Sequence, residues 1–296
     1  MIRVTILGTA GASPTKQRNL TSVALAYDGN VILFDCGEGT QMQIMKYGVN
    51  SSRIRAIFIS HAHGDHVIGL AGLVRTLALN GRKEPLKVFA PRGSEGVVRN
   101  LIEFDKAALP YPIEIKGVQK GLVCEGKDFT VSAFKLDHTI SSYGYIFKIN
   151  DKRRFIGNKA KRLGIAGEMF SVLQKRGSIK LGKRMIRLAD VTTISPGRKV
   201  VYASDTRPTN STVSAARGAD MLIHESTYAD AESGLARDRG HSTAGEAAMI
   251  AKKAKAKKLE LIHFSARYKN ASGLEAEARK VFPDSTAARD GDVIDL

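Results

Sequence analysis

The fold is decided by six consecutive residues, His61-Ala62-His63-Gly64-Asp65-His66. They follow the apolar run 56–59, which predicts a buried strand, and precede the run 67–73, which predicts the start of a helix. A lone histidine near a core usually has a structural explanation. Three histidines and one aspartate in a loop at a strand end instead indicate a metal site. Imidazole nitrogen and carboxylate oxygen are ligands that suit zinc.

Length and composition are those of a globular protein. The 296 residues can bury a large core as one α/β domain or as two smaller ones, and 43% of them are apolar. No apolar run approaches about 18 residues, so no transmembrane helix is predicted, and residues 1–8 resemble a strand rather than a signal peptide. Cys36 and Cys124 lack CxxC spacing. We interpret them as buried thiols of a reduced cytoplasmic protein, although the sequence leaves a disulfide between them open.

The net charge is strongly positive. Lys and Arg number 46 against 29 acidic residues, which gives a net charge of +17 and an isoelectric point near 9.9. A generally basic proteome would also produce such a balance. Residues 148–187, however, hold 13 Lys and Arg against two acids, so a net charge of +11 is confined to this segment. A localised patch of this kind favours a polyanionic partner, nucleic acid before an anionic membrane.

Strand-like and helix-like runs alternate along most of the chain. Predicted strands cover residues 2–7, 22–27, 31–35, 56–60, 86–90, 128–134, 143–149, 199–203, 221–223 and 259–262. Predicted helices cover residues 40–47, 66–80, 93–105 and 242–258, the last with Ser242 or Thr243 as its N-cap. The basic segment 150–190 interrupts the alternation, and only residues 168–176 within it have a helical pattern.

The simplest architecture for this order is α/β, with two sheets flanked by helices in four layers and one inserted basic arm at about residues 150–190. Metal-capable residues lie on both sides of the insertion, which favours a single domain over residues 1–296 rather than a separate second domain. The sequence has no internal repeat of fixed period.

Three further metal-capable residues lie just beyond the ends of predicted strands. They are His138, Asp205 and His263. Each would be an ordinary polar residue if considered alone. Side chains at strand ends can converge on one cleft, however, and together with the 61–66 loop these residues make seven ligands. Seven ligands are enough for two metal ions, one bridging carboxylate and a water.

A dinuclear site of this composition suits displacement at phosphorus. Two metal ions roughly 3.5–4 Å apart each polarise an oxygen, and a water between them becomes hydroxide near neutral pH. The ligands supply only two negative charges, from Asp65 and Asp205, against four positive charges on two zinc ions. The surplus positive charge favours an anionic substrate and stabilises a developing phosphorane.

These residues resemble the metallo-β-lactamase superfamily. The match consists of the 61–66 loop with Asp35, His138, Asp205 and His263 in order, and it spans most of the chain. The superfamily also contains thioesterases, lactonases and nucleases. Narrower motifs are similar to those of its ribonuclease Z family: PTKQRN at 14–19, FDCGEGT at 34–40, HEST at 224–227, GHST at 240–243 and HFSARY at 263–268.

The resemblance implies two zinc ions per subunit, with Mn²⁺ or another divalent ion as the alternative. The implied ligands are His61, His63 and His138 for the first ion, Asp65, His66 and His263 for the second, and Asp205 as the bridge between them.

The resemblance also implies catalytic roles for three acidic or basic residues. Asp65 would orient and deprotonate the attacking water. Glu225 and His241 would form a relay that protonates the leaving 3′-oxygen, because a carboxylate that fixes a histidine tautomer makes an effective general acid. His241 has a second interpretation, as an N-terminal residue of the helix predicted at 242–258. Asp35 would be a hydrogen-bonding residue beneath the metal loop rather than a ligand.

The implied function is zinc-dependent endonucleolytic removal of the 3′ trailer from precursor tRNA. A metal-bound hydroxide would attack the phosphodiester, leaving a 3′-hydroxyl on the tRNA and a 5′-phosphate on the trailer. The implied assembly is a cytoplasmic homodimer without a membrane partner. Lys16, Arg18 and Arg267 are candidates for phosphate contacts near the cleavage site, since arginine offers a planar fork to phosphate oxygens.

The insertion at about 150–190 falls where the family carries its tRNA-binding arm, or exosite. The family's arm often has a Gly-Pro turn at its tip, whereas residues 164–168 read GIAGE and contain no proline. Such a turn could still form on glycines.

Two other functions remain open from the sequence. A small-molecule hydrolase of the same fold, such as a phosphodiesterase or thioesterase, would account for the ligands but would have no use for a remote basic patch. A non-catalytic RNA-binding protein with a vestigial site would account for the charge, although all seven ligand positions are filled.

Overall fold

The apolar runs of the sequence form the strands of a computed structural model that describes residues 1–105 and 108–296. Numbered in chain order, the strands are β1 (Ile2–Gly8), β2 (Ala10–Gly11), β3 (Ser22–Tyr27), β4 (Asn30–Phe34), β5 (Ile54–Phe58), β6 (Leu86–Pro91), β7 (Ile113–Val118), β8 (Gly121–Glu125), β9 (Phe129–Lys135), β10 (Tyr143–Ile149), β11 (Lys152–Phe155), β12 (Ser178–Leu181), β13 (Arg184–Arg187), β14 (Thr192–Ser195), β15 (Lys199–Ala203), β16 (Met221–Glu225), β17 (Leu259–Ile262), β18 (Phe264–Ser265), β19 (Ser285–Ala287) and β20 (Val293–Asp295).

Helices connect most of these strands. The α-helices are α1 (Thr40–Lys46), α2 (Gly64–Val67), α3 (Gly69–Leu79), α4 (Glu95–Ile102), α5 (Gly157–Arg162), α6 (Met169–Arg176), α7 (Asn210–Ala216), α8 (Ser233–Asp238), α9 (Ala244–Ala254) and α10 (Ser272–Val281). Short 3-10 helices lie at Ser51–Arg53, Leu188–Val191 and Asp230–Glu232.

The chain divides into a main unit, Met1–Lys148 with Arg198–Leu296, and an inserted unit, Ile149–Gly197. Within the described ranges, no helix is both long enough and apolar enough to span a membrane.

Two seven-stranded sheets face each other in the main unit. The first has the strand order β20–β1–β3–β4–β5–β6–β7, and the second has the order β19–β17–β16–β15–β10–β9–β8. Aromatic side chains fill the space between them. Phe34 stacks on Tyr202 with ring centroids 5.2 Å apart, and Phe58 packs on Tyr145 at 5.3 Å. These four rings are buried, so the sheets form a sandwich with an apolar interior.

Helices cover the outer face of each sheet. Apolar residues of α1, α3 and α4 pack on the first sheet, and those of α7, α9 and α10 pack on the second. The inward face of α9 consists largely of alanines at a spacing of three and four residues, which lets this helix approach the sheet closely. The four-layered α/β order expected from the sequence is confirmed.

The turn between β3 and β4 shows how local sequence sets the register of the first sheet. Asp28 and Gly29 have φ angles of 49° and 71°, the left-handed conformation at both central positions of a two-residue hairpin. Asp-Gly is a favoured pair for such a turn, because its twist matches that of the flanking strands.

Three predicted helices differ from the observed ones at their ends. The helix expected at 66–80 begins at Gly64 and is interrupted at Ile68, where the neighbouring Gly69 N–H donates to the carbonyl of Cys36. The helix expected at 93–105 is confined to α4. The helix expected at 242–258 is α9, and its N-cap is Thr243, whose hydroxyl accepts from the Glu246 N–H in a capping box.

Parallel strands position the metal-capable loop residues. Strands β4 to β7 run parallel in the first sheet, and β15, β16, β17 and β19 run parallel in the second. His61, Asp205 and His263 follow β5, β15 and β17. Because the carboxyl ends of parallel strands form one edge of a sheet, each sheet presents its functional loops together.

The inserted unit has more regular structure than the sequence predicts. Besides α6, it contains α5 and two strand pairs, β11 with β14 and β12 with β13, so the expectation of a single helix was wrong. These elements are only four to six residues long, too short for a clear periodicity. They are stabilised by a small shared core of Ala160, Ile165, Leu173, Ile186 and Val191.

The turn between α5 and α6 forms without proline. Gly164 and Gly167 adopt positive φ angles of 77° and 52°, which only glycine adopts at low cost. Between them, Ile165 is buried in the core of the inserted unit. Two glycines and one apolar anchor therefore define this turn.

Candidate metal centre

The structure brings the seven predicted ligand side chains together at the strand ends. Nitrogen or oxygen atoms within 4.8 Å of one another define one group of His61, His63, His138 and Asp205, and a second group of Asp65, His66 and His263. His241 joins Asp205 and His263 in a third group, which lies beside the other two through these shared residues.

The first group has a spacing that fits one metal ion. His63 Nδ1 lies 3.0 Å from His61 Nε2 and 3.3 Å from His138 Nε2. Two donors bound to one zinc ion by bonds of about 2.0–2.1 Å lie roughly 3.3 Å apart in tetrahedral geometry. The three ring nitrogens therefore have the separation that a shared cation requires.

The second group has a similar spacing. His66 Nε2 lies 3.2 Å from His263 Nε2, and Asp65 Oδ2 lies 3.4 Å from each of these nitrogens. A loop residue holds the carboxylate in place, because the Ala12 N–H donates to Asp65 Oδ2 over 2.7 Å. This group contains two imidazoles and one carboxylate around a common point.

Asp205 faces both groups with different oxygens. Its Oδ2 lies 3.6 Å from His61 Nε2 and 3.8 Å from His138 Nε2. Its Oδ1 lies 3.4 Å from His66 Nε2 and 3.2 Å from His263 Nε2. One carboxylate is therefore placed so that each oxygen can serve a separate cation.

Hydrogen bonds at Nδ1 direct the Nε2 lone pairs of two histidines into the cluster. His138 Nδ1 lies 2.9 Å from the Gly240 carbonyl, which can only accept, so Nδ1 carries the proton. His66 Nδ1 likewise lies 2.8 Å from Asp35 Oδ2. In both neutral rings the free lone pair is on Nε2, the atom that faces the other ligands.

Two hydroxyl groups fix the tautomers of His61 and His263 in the same way, so that Nε2 of each ring keeps its lone pair. The Ser60 hydroxyl donates to Asp35 over 2.8 Å, so its lone pair is available to the His61 Nδ1–H at 2.9 Å. The Thr227 hydroxyl donates to Glu225 over 2.6 Å and accepts from the His263 Nδ1–H at 2.9 Å. A buried carboxylate thus sets each tautomer through one intervening hydroxyl.

Asp35 lies beneath the cluster as a hydrogen-bonding residue, as the sequence predicts. Its two oxygens accept from the Ser60 N–H at 2.6 Å, the Ser60 hydroxyl, His66 and the Tyr202 hydroxyl at 2.6 Å. The side chain is fully buried. Oδ2 accepts from Ser60, His66 and Tyr202 and Oδ1 from the Ser60 N–H, so the carboxylate is engaged by protein donors on both oxygens and serves the cluster through hydrogen bonds.

The backbone is strained at two residues of this network. Asp35 and His263 adopt left-handed φ angles of 58° and 60°, which cost free energy for residues with a side chain. Gly11 packs against the His263 ring, and a Cβ at that position would lie 2.5 Å from the ring atoms. The position of the His263 ring is therefore restricted by its own backbone conformation and by its contact with Gly11.

The charges of the cluster favour positive charge at its centre. Burial raises the pKa of Asp205, but His263 and His66 outweigh burial and hold that pKa well below its usual range. Burial lowers the pKa of His66, but Asp205, Asp35 and Asp65 outweigh it and raise that pKa well above normal. The carboxylates therefore attract a proton or a metal cation to the same place.

The donor set fits divalent metal ions. Five imidazole nitrogens, four of them with a tautomer fixed by a hydrogen bond at Nδ1, and two carboxylates converge at separations close to those of a coordination shell. Nitrogen and oxygen donors of this mixture suit zinc and are also accepted by manganese and related ions.

His241 and Glu225 form a pair beside the cluster. His241 Nδ1 lies 3.0 Å from Glu225 Oε1, and Glu225 also accepts from the N–H groups of Thr206 and Thr227. Burial lowers the pKa of His241, but the charge and hydrogen bond of Glu225 outweigh it and raise that pKa to about 9. His241 Nε2 makes no hydrogen bond to the described residues. Glu225 thus orients the ring and favours its protonated form, and Nε2 can donate.

Three residues of this network were not identified from the sequence. Ser60 immediately precedes His61, and Thr227 ends the 224–227 motif that contains Glu225. Their closeness in sequence to predicted site residues could have identified them. Tyr202 lies within β15 and donates to Asp35 from the opposite sheet. No pattern in the sequence connects these two positions, because their contact depends on how the sheets pack.

The three candidates for phosphate contact have different surroundings in the structure. Arg267 is paired with Glu232 at 2.6 Å and lies over the ring of Tyr228. Lys16 is exposed. Arg18 is buried, and its Nη2 donates to the carbonyls of Ser265 and Tyr268.

Fold and site together define a hydrolase of the metallo-β-lactamase class. A family model described as "Beta-lactamase superfamily domain" matches residues 163–264, and one described as "Anti-Pycsar protein Apyc1" matches residues 2–162. Among solved structures, the Bacillus subtilis metallo-beta-lactamase fold protein YhfI is 20% identical with a TM-score of 0.71, covering 99% of this chain and 98% of that one, which supports the fold.

The chain belongs to the ribonuclease Z family of endoribonucleases. It is 41% identical over 302 residues to a ribonuclease Z of Natronomonas pharaonis, covering 100% of this chain and 98% of the relative. It is 42% identical over 300 residues to a ribonuclease Z of Gemmatimonas aurantiaca, covering 99% and 95%. The crystal structure of human tRNase Z, short form, is 29% identical with a TM-score of 0.70 and covers 99% of this chain and 98% of its own. The fold and family expected from the sequence are confirmed.

Replacement of Asp35 by asparagine tests the hydrogen-bond network beneath the cluster. In Asp35→Asn, an amide NH₂ replaces one acceptor, so the donors of Ser60, His66 and Tyr202 lose a partner and the tautomer of His66 is no longer fixed. We expect the affinity for zinc to fall about 10–100-fold. Competitive titration against a chelator measures this change.

The matched control is Asp290→Asn. Asp290 is a partly buried carboxylate that accepts from the Asn19 N–H and from Gln43 rather than from a cluster histidine. We expect its zinc affinity to remain that of the unmodified protein. Equal losses of affinity in the two variants would contradict the role assigned to Asp35.

Proposed function

We propose that this chain removes the 3′ trailer of precursor tRNA as a zinc-dependent endoribonuclease. The observation that carries the proposal is the position of Asp205, whose two oxygens face two separate groups of metal-capable side chains. Membership of the ribonuclease Z family gives the substrate class. Two zinc ions per subunit, or two manganese ions, are the cofactors that we propose.

The proposed ligands follow the two groups. His61, His63 and His138 would hold one ion, and Asp65, His66 and His263 the other, with Asp205 shared. Bound ions would supply positive charge to the phosphate oxygens and lower the pKa of a water between them.

Asp65 is suited to orient the attacking water and accept its proton. Burial raises its pKa, but the charges and hydrogen bonds of His66 and His263 outweigh burial, so the net pKa is lowered and the ionised group can accept a hydrogen bond from a water. It would take the proton of that water once bound ions had lowered the pKa of the water. The hydrogen bond from the Ala12 N–H to Oδ2 leaves Oδ1 without a partner among the described residues. This geometry supports a role for Oδ1 as the proton acceptor.

His241 is suited to protonate the leaving oxygen. In the proposed reaction, the water oxygen forms a bond to phosphorus and the bond from phosphorus to the 3′-oxygen breaks. A proton from His241 Nε2 neutralises that oxygen, so the tRNA leaves with a 3′-hydroxyl and the trailer keeps a 5′-phosphate. Glu225 holds the ring through Nδ1 and stabilises its protonated form.

The inserted unit supports RNA as the substrate. It carries 12 Lys and Arg against three acidic residues, and most of these cations are exposed. Exposed cations on a small folded unit suit phosphate contacts, which contribute affinity without sequence specificity. We therefore propose that Ile149–Gly197 is the tRNA-binding arm of a single metallo-β-lactamase domain. The homodimer expected from the family stays a prediction.

Mapping of product ends tests the proposed reaction directly. Zinc- or manganese-loaded protein should cut a 3′-extended tRNA to a 3′-hydroxyl product and a 5′-phosphorylated trailer. Asp65→Ala should abolish cleavage and leave RNA binding intact, whereas Asp238→Ala, an exposed aspartate at the end of α8, should cleave normally. Absence of cleavage by the metal-loaded protein would refute the proposed function.

The role of His241 as a general acid predicts a dependence on the leaving group. His241→Ala should slow tRNA cleavage by roughly 10²–10⁴-fold, because the 3′-alkoxide must be protonated as it leaves. The same variant should hydrolyse bis(p-nitrophenyl) phosphate at nearly the rate of the unmodified protein, because p-nitrophenolate leaves without a proton. A structural role would instead slow both substrates alike.

Removal of the inserted unit tests the RNA-docking role. Lys148 and Lys199 are paired residues of antiparallel strands β10 and β15, so Ile149 and Arg198 can be joined by an Asn-Gly turn in place of residues 150–197. We expect kcat/KM for a 3′-extended tRNA to fall at least roughly 100-fold and its salt dependence to become shallower.

Hydrolysis of bis(p-nitrophenyl) phosphate is the control for this deletion. The small substrate carries one phosphate and no polymer backbone for the inserted unit to hold, so we expect its rate to be retained. An equal loss of activity on both substrates would contradict the assignment of the inserted unit to RNA docking.

A further inference from the structure

A half-buried arginine connects the metal-capable cluster to the loop that carries His241. Arg207 lies two residues after Asp205, in the segment that follows β15, and its Nη1 donates to the main-chain carbonyl of His241. The loop consists of residues 239–243, between α8 and α9, and is called the His241 loop below. One side chain therefore joins the segment of the shared carboxylate to the residue that carries the neighbouring ring.

Glu246 of α9 holds the guanidinium of Arg207 in this position. Its two oxygens accept from Nη1 at 2.8 Å and from Nη2 at 2.5 Å, as a bidentate ion pair. The same carboxylate accepts from the Thr243 N–H at 3.0 Å, as one half of the capping box of α9. Because a planar guanidinium paired at two nitrogens has a fixed direction, Nη1 stays directed at the His241 carbonyl.

The main chain of Arg207 is fixed at the cluster. Its N–H donates to the carbonyl of Asp137 at 2.7 Å, and the residue after Asp137 is the metal-capable His138. The next residue along the chain, Pro208, restricts the backbone of Arg207 and disfavours a helical conformation. The backbone of Arg207 is thus held beside the cluster, while its side chain reaches the His241 loop.

The residues on either side of His241 have hydrogen bonds of their own. The Gly240 carbonyl accepts from a cluster histidine at 2.9 Å, and the Ser242 hydroxyl donates to the Thr206 carbonyl at 2.6 Å. The carbonyl of His241 itself accepts from Arg207. Loss of this donor would allow the peptide group to rotate, and the imidazole on the same residue would move with it.

The ring of His241 needs this main-chain contact to have a defined direction. Its Nδ1 lies 3.0 Å from Glu225 Oε1, which fixes one ring nitrogen. A hydrogen bond at one nitrogen leaves the ring free to turn about it, so the position of the His241 main chain decides where Nε2 lies. Arg207 fixes that main chain from the side of the cluster.

The same contacts make Arg207 unsuited to bind RNA directly. Only 19% of its side chain is exposed, and both terminal nitrogens are paired with Glu246. A phosphate would have to displace a carboxylate that already accepts from both nitrogens. The pair has no net charge, so it adds little to the long-range attraction of a polyanion.

We propose that Arg207 is a positioning residue for the general acid, because it holds the His241 loop where Nε2 can protonate the leaving 3′-oxygen. The inference rests on the proposed function, which assigns this proton transfer to His241. Arg207 contacts neither the substrate nor the transferred proton and acts through the main chain of His241. Its removal should therefore slow the protonation of the leaving group and leave substrate binding unchanged.

Kinetics of the metal-loaded, full-length Arg207→Ala variant test this role. We expect kcat for a 3′-extended tRNA to fall roughly 10–100-fold, because a displacement of about 1 Å at a catalytic group is sufficient for such a loss. KM and the slope of log kcat/KM against log salt should stay those of the unmodified protein. Hydrolysis of bis(p-nitrophenyl) phosphate should stay within about twofold, because its leaving group needs no proton.

Two outcomes of these measurements would contradict the role. A raised KM with a shallower salt slope would show that Arg207 contacts a phosphate of the RNA. An equal loss on both substrates would show a general defect of the metal centre.

A double-mutant cycle tests whether Arg207 acts through His241. If it does, Arg207→Ala/His241→Ala should cleave tRNA within about threefold of His241→Ala alone, since residues that act as a unit have non-additive effects. Losses that multiply would show that the two residues act independently and would refute the inference.

Arg279→Ala is the matched control. Arg279 of α10 also pairs with a glutamate, Glu275 at 2.9 Å, and also donates to a main-chain carbonyl, that of Ser285 at 2.8 Å. These partners lie outside the metal-capable cluster and the His241 loop. We expect this variant to have the kinetics of the unmodified protein on both substrates. Equal tRNA kinetics in Arg207→Ala and Arg279→Ala would contradict the positioning role.

The Nδ1 proton of His241 gives a readout that does not depend on cleavage. Because it is hydrogen-bonded to the buried Glu225, it should give a downfield ¹H NMR resonance in the zinc-loaded protein, assigned by its absence in His241→Ala. We expect Arg207→Ala to shift or broaden this resonance and Arg279→Ala to leave it unchanged. An unchanged resonance in Arg207→Ala would show that the ring keeps its place without the arginine, which would refute the inference.

The two measurements separate a failure of this inference from a failure of the proposed function. If His241→Ala slows tRNA cleavage and Arg207→Ala does not, the positioning role is refuted and the proposed function stands. If Arg207→Ala moves the Nδ1 resonance in a protein that cleaves no tRNA, the positioning of the ring is supported and the proposed function alone fails.

Discussion

The structure of the metal centre depends on one buried carboxylate, that of Asp35. Ser60 and His66, from the segment that follows β5, and the Tyr202 hydroxyl of the second sheet all donate to its two oxygens. The same contacts therefore join the sheets, orient the 61–66 loop and place the His66 proton on Nδ1. Asp35 itself sits in a left-handed conformation, so its strain is compensated by the hydrogen bonds that it accepts.

Glu225 repeats this arrangement on the second sheet. Each of these two carboxylates contacts one histidine directly and orients another through a hydroxyl group, Ser60 for Asp35 and Thr227 for Glu225. Four histidines thus have their protons assigned before any metal or substrate binds. A cluster of this kind is preorganised, since the hydrogen bond at Nδ1 directs Nε2 of each ring inward, and a cation that binds there displaces the proton that the carboxylates attract to His66.

The sequence was sufficient to find the metal-capable residues that the structure brings together, because their chemistry is concentrated in short motifs. Six residues at 61–66 indicate a metal by composition alone, and His138, Asp205 and His263 follow recognisable strands. The motifs around Glu225 and His241 supported the family but did not by themselves separate a catalytic histidine from a residue at a helix start. The structure places His241 outside α9, two residues before the N-cap Thr243, and in contact with Glu225.

The sequence by itself determined the layer order of the main unit, the seven metal-capable side chains that cluster and the concentration of positive charge in one insertion, because periodicity, motif spacing and composition are local properties. Only the tertiary structure decided which oxygen of Asp205 faces which group, that Tyr202 reaches Asp35, and that Arg207 reaches the carbonyl of His241. These contacts join residues far apart in the chain, and their distances depend on how two sheets pack. The inserted unit belongs to both categories: its charge was evident, but its short strands are stabilised by a shared core that no local pattern predicts.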